Sequence, residues 1–148
     1  MDQCVFCLHP PEALRCRWEG ELRLEAADGP RRLLGVFSPG GEALLHFVEL
    51  AGETKVWPDG EALVRAVTVC NRSSLPMEWV GVEPGGAILP DSLRVEGQPA
   101  RTPELAGLAA GGRALFTWRE PAVEPDRTIL LRGRCTCAGQ TQEIACRL

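Results

Sequence analysis

The residues best equipped to do chemistry in this chain are its seven cysteines: Cys4, Cys7, Cys16, Cys70, Cys135, Cys137 and Cys146. Three of them fall in the opening stretch MDQCVFCLHPPEALRC. Thiols at such spacings do one of two things: they hold a metal or they cross-link. Cys4-x-x-Cys7 has the spacing of zinc ligands, and Cys135-x-Cys137 supplies two further thiolates for a four-cysteine site, with His9 within reach of the first pair. A strand would place Cys135 and Cys137 on one face about 6.5 Å apart, which suits two separate disulfides as well as one metal. Seven is odd, so full oxidation within one chain leaves a thiol for another chain. The cross-linking candidates are therefore Cys4, Cys7, Cys16, Cys135, Cys137 and Cys146. Cys70 ends a strand-like run and is open between a buried core thiol and a free one.

Other chemistry has little to work with. His9 and His46 are the two histidines, and His46 lies in the apolar run ALLHFVEL. No Ser-His-Asp set or phosphate-binding glycine loop can be assembled, because PGGAILPDS and SPGG do not precede a helical pattern. The chain is read as non-enzymatic and without a resident cofactor. Net charge is −4 with both signs interleaved, so no basic stripe offers itself to a nucleic acid. No apolar stretch reaches the roughly 18 residues that span a bilayer. Lys55 is the single lysine beside fifteen arginines, a bias that points to a GC-rich genome.

Turn signals recur at Asp28-Gly29-Pro30, Ser38-Pro39-Gly40-Gly41, Pro58-Asp59-Gly60, Pro84-Gly85-Gly86, Gly111-Gly112 and Ala138-Gly139-Gln140. Between them lie short alternating runs such as ELRLEA and SLRVEG, the pattern of a sandwich or barrel. About ten strands are expected, near 21–26, 31–37, 43–50, 54–58, 62–71, 77–83, 92–97, 112–119, 128–137 and 141–148. One helical turn is the alternative at 102–110, opposed by Gly107 and Gly111-Gly112. The predicted fold is all-β: a two-sheet β-sandwich, jelly-roll or immunoglobulin-like, over 18–148 as a single domain. Residues 1–17 form an extended N-terminal connector arm, because Pro10-Pro11 stiffens it and bars it from a central sheet. Its apolar residues Val5, Phe6 and Leu8 are suited to pairing along an exposed sheet edge of another molecule.

From residue 66 the order of signals is recognisable: AVTVCNRSSLPMEWVGVEPGGAILPDSLRVEGQPA, then LAGLAAGGRALFTWRE. Over residues 66–120 this resembles the conserved repeat domain of bacterial surface proteins known as domain of unknown function eleven. The matching positions are Asn71, Ser73 and Leu75, then Glu83-Pro84, Pro90-Asp91-Ser92 through Gly97, and Leu108 to Gly112. Glu83 stands where that family usually has Asp, and the family's closing Asn-x-Ala strand is not evident. The resemblance implies a sandwich of seven or more strands used as a building block in walls, stalks and fibres, without catalysis. Independently of it, Asn71, Ser73 and Ser74 can bond local backbone and close a strand into a turn. Asn71-Arg72-Ser73 also spells a glycosylation sequon, a role set below the turn role.

The N-terminus lacks the basic and apolar regions of a signal peptide, while cytosolic thiols ordinarily stay reduced. A protein made inside a cell and released by its lysis reconciles the two. That layout is similar to the endospore appendage subunits of spore-forming bacteria, single sandwiches with an N-terminal cysteine connector. The expected function is thus a self-assembling structural subunit of a disulfide-cross-linked fibre, extracellular or on a spore surface, whose arm docks onto a neighbouring copy. Its partner is itself, with no nucleic acid and no membrane span. The alternative is a binding module with structural zinc at Cys4, Cys7, Cys135 and Cys137.

Overall fold

A computed structural model describes residues 13–17, 32–37, 42–122, 128–137 and 140–148. The order is β1 (Ala13–Arg17), β2 (Arg32–Phe37), β3 (Glu42–Val48), β4 (Leu50–Asp59), β5 (Ala62–Asn71), β6 (Trp79–Glu83), β7 (Arg94–Val95), β8 (Gln98–Pro99), β9 (Glu104–Leu105), β10 (Arg113–Pro121), β11 (Leu130–Cys137) and β12 (Gln140–Arg147). All pairings are antiparallel. Two sheets make a β-sandwich, one ordered β4-β5-β10-β7-β8 and the other β12-β11-β6-β9, and a third sheet is ordered β1-β3-β2.

Alternation decides which side chains meet between the sheets. On β5, Val67, Val69 and Asn71 point inward, and on β10, Ala114, Phe116 and Trp118 do. From the facing sheet come Val80 and Val82 of β6, Leu131 and Cys135 of β11, and Ile144 of β12. Val48, Leu50, Met77, Leu93 and Ile129 complete the core. The sheets come close together at two glycines. A Cβ on Gly133 would lie 2.8 Å from Leu50 Cδ1, and one on Gly52 2.7 Å from Leu131 Cδ1. Each glycine thus admits a leucine from the opposite layer.

Several expected strands shift for physical reasons. The 43–50 run divides at Glu49, and β4 continues straight through Ala51-Gly52, which marks a close approach of layers and not a turn. The expected strand 92–97 becomes a tight hairpin of β7 and β8, since Glu96 and Gly97 both have positive φ, 53° and 77°. That is the geometry of a two-residue primed turn, whose twist matches the flanking strands. The helical turn considered at 102–110 does not form. Gly107 and Gly111 take φ of 91° and 74°, and the segment holds β9 and a bridge from Leu108 to Met77. The expected strand 21–26 lies outside the described residues.

Of the expected arm, residues 1–12 lie outside the described residues. Its last five residues form β1, paired with β3 so that Cys16 lies opposite Ala43. Pro10 and Pro11 precede this strand, so they cannot disturb its ladder.

Candidate functional site

A sheet edge is a row of backbone donors and acceptors without a ladder partner, and proteins usually blunt it. The two sandwich sheets end in β4, β8, β9 and β12. β8 and β9 are two residues long, with Pro99 inside the first and Pro103 just before the second. β4 carries Pro58 and the lone lysine, Lys55. Both are residue types that discourage edge pairing. β12 is different: QTQEIACR runs for eight residues with no proline, glycine or lysine. Among the described strands it borders β11 alone.

The register fixes which groups of β12 face outward along that edge. Leu148 N–H donates to Ile129 C=O at 2.9 Å, and Leu130 lies opposite Arg147. Antiparallel bonding alternates, so Cys146, Ile144 and Gln142 bond β11. The N–H and C=O of Thr141, Glu143, Ala145 and Arg147 are directed away from it.

A groove of about 330 Å³ opens on the outer face of this sheet, lined by Trp79, Arg132, Gly133, Arg134, Glu143, Ile144 and Ala145. It runs across the strands between two rows of outward side chains. One row is Ala145 and Arg132, which are register partners, and the other is Glu143, Arg134 and Trp79. Trp79 closes the inner end. A Cβ at Gly81 would lie 2.6 Å from its ring carbons, so the indole lies across the bare backbone there. The Arg134 guanidinium is 5.5 Å from the ring centroid, a cation–π contact. Arg132 Nε bonds Glu83 Oε1 at 2.9 Å on the surface. On the β12 side the groove is lined by Glu143, Ile144 and Ala145, of which Ala145 has the smallest side chain.

The cysteines separate by position. Cys135 is 0% exposed and points into the core, on the inner face of its strand. Cys146 is opposite Leu131 and packs against the core's border, with its thiol directed at Arg147 C=O, 3.7 Å away. Burial first, and the Glu49 charge second, push its pKa above the ordinary thiol value, which leaves it a weak nucleophile at neutral pH. Cys70 lies on the outer face of the five-stranded sheet, opposite Ala51 and Arg113, part-exposed and free. It is therefore not the core thiol considered from sequence. Cys137 pairs at the backbone with Gln140. Cys4 and Cys7 lie outside the described residues, as do Val5, Phe6, Leu8 and His9. Of the zinc set, Cys135 alone has a described side chain; among the described residues no group of three or more His, Cys, Asp or Glu side chains is placed to hold a metal. Alkylation at pH 7 is expected to label Cys70 in the native protein and to spare Cys135 until unfolding, with Cys146 gaining only as pH rises beyond the usual thiol range. Peptide mass mapping checks this, and rapid native labelling of Cys135 would contradict it.

Two buried polar clusters hold the scaffold, and only one was expected. Asn71 Nδ2 donates to the carbonyls of Leu75, Leu108 and Ala109 at 3.0, 3.0 and 3.2 Å, and its Oδ1 accepts from Ser73 N–H at 3.0 Å. Ser73 Oγ accepts from Glu49 N–H and donates to Glu49 C=O. Both side chains are 0% exposed, which agrees with the turn role and leaves Asn71 no access to a glycan. Ser74 Oγ lies 3.3 Å from His46 Nδ1, and burial lowers the pKa of that imidazole. The second cluster was missed: Arg65 forks onto Glu120 at 2.8–3.1 Å, Trp118 Nε1 donates to the same carboxylate at 3.1 Å, and Arg65 donates to Thr54 Oγ1. Its signal was present, since period two puts Arg65 on the face of Val67 and Glu120 on that of Trp118.

Among the described residues no helix is long and apolar enough to cross a membrane. No family model matches the chain, and no curated protein matches it. A solved structure, the GAE domain of GGA2p from Saccharomyces cerevisiae, is similar at 18% identity with a TM-score of 0.40, covering 80% of this chain and 95% of that one. So distant a likeness transfers no function.

Proposed function

We propose that the chain is a structural, self-assembling subunit in which the N-terminal arm of one copy adds as a strand to β12 of the next. The observation that carries this reading is the contrast among the edges of the two sandwich sheets: β4, β8 and β9 are short or carry proline or lysine, whereas β12 is long and borders β11 alone among the described strands. Strand addition draws affinity from main-chain bonds and selectivity from alternate side chains. The segment before β1 carries Val5, Phe6 and Leu8 for an added strand, and Pro10-Pro11 would end that strand. One contact type repeated head to tail gives rings or filaments. In its finer form the product is a fibre outside the cell or on a spore, locked by disulfides from Cys4 and Cys7.

The edge substitution Ala145→Pro tests it. Ala145 N–H faces away from β11, so proline there removes an edge donor without breaking the β11–β12 ladder. The parent is expected to run as a ladder on non-reducing gels and to collapse to 16.1 kDa with reductant. Ala145→Pro should stay monomeric with its melting temperature nearly unchanged. Parent-like assembly by Ala145→Pro would overturn the reading.

A further inference from the structure

Resting on that reading, we infer that the transverse groove beside β12 is the selectivity pocket of the docking edge, and that it takes an aromatic side chain, Phe6 of the arriving arm. The groove is lined by residues of the edge strand β12 and, two strands further in, by the indole of Trp79. A strand added to β12 would lie about 4.8 Å outside it, with alternate side chains on the outer face. A side chain opposite Ala145 would then point along the groove. Of the outward residues of β12, Ala145 is the one small enough to leave that path open, since Thr141, Glu143 and Arg147 are larger.

The lining sets the chemistry of the occupant. Arg132 and Arg134 flank the groove and Trp79 closes it. Guanidinium planes stack on aromatic faces, while Glu143 in the same lining and Glu83 beside Arg132 offset the positive charges, so the groove selects by stacking and not by net charge. Aliphatic side chains gain only the apolar part of such a site. In the arm, CVFCLH, the one aromatic is Phe6. Period two then sets Cys4 and Leu8 on the outer face with Phe6, and Val5 and Cys7 on the face of Ile144 and Cys146. Cys4 and Cys7 are three residues apart, so they cannot share a face of one added strand.

The test uses the full chain under reductant, with assembly followed by sedimentation velocity across concentration. Phe6→Ala and Ala145→Leu, which fills the mouth but keeps the edge donor, should each raise the concentration for half-assembly at least tenfold. Combining them should add little, because both remove the same contact. Leu8→Ala is expected to have a smaller effect, and thermal melts should be unchanged throughout. If Phe6→Ala and Ala145→Leu assemble like the parent while Ala145→Pro does not, the groove is not the selector although the edge is. If Ala145→Pro also assembles like the parent, both the pocket and the docking edge are wrong.

Discussion

Arg65→Met is expected to cost the fold about 3–5 kcal/mol, the penalty for leaving one partner of a buried ion pair alone. Arg65 and Glu120 are 4% and 1% exposed. With the guanidinium gone, the carboxylate keeps only Trp118 Nε1 of the contacts described above, in a place water does not reach. For a domain of this size that corresponds to a fall in melting temperature of roughly 10 °C. Urea denaturation reads it as a lower midpoint at an unchanged slope. Adding Glu120→Gln to Arg65→Met should recover much of the loss, because the charge disappears while an acceptor for Trp118 remains. A single-variant loss below about 1 kcal/mol would mean that solvent relieves the pair, and that this end of the sandwich opens readily.

Asn71→Ala should be nearly as damaging, at about 2–4 kcal/mol, since buried polar groups stripped of their partners retain their desolvation cost. The amide joins the end of β5 to the 73–75 turn and to the 108–109 turn. Asn71→Asp is the sharper probe. It keeps the acceptor for Ser73 N–H and presents a carboxylate to the carbonyls of Leu75, Leu108 and Ala109, so it should be at least as unstable as the alanine variant. Equal stability of Asn71→Asp and the parent would contradict the geometry. Ser73→Ala, losing the two bonds to Glu49, should be milder.

Much of the architecture was legible because period-two alternation is strong where both layers are apolar. ALVRAVTVCN gave β5 its bounds, and RALFTWREP nearly gave β10. The misreadings came where glycine has two meanings. At Gly52 it marks two sheets in contact and at Gly97 a primed turn, and a single sequence does not separate them. The thiols were legible by parity and opaque by side. Cys135 and Cys137 stand two apart on one strand-like run, but which face of the sheet such a run buries, and whether Cys146 joins it, depends on the register through Ala138-Gly139. The groove was not legible at all. It is assembled from residues 79, 132–134 and 143–145, and only the pairing of β6, β11 and β12 makes them neighbours. The buried pair of Arg65 and Glu120 was readable in principle, as charged residues on inward positions of otherwise apolar strands.

Backbone groups that bond a neighbour should stop exchanging with solvent, and this makes the docking edge directly observable. Hydrogen–deuterium exchange on reduced monomer and on reduced assembled protein should show the amides of Thr141, Ala145 and Arg147 fast in the first and protected at least tenfold in the second, with those of Gln142, Ile144 and Cys146 slow in both. Equal exchange at the three edge amides in the two samples would show that copies do not meet along β12.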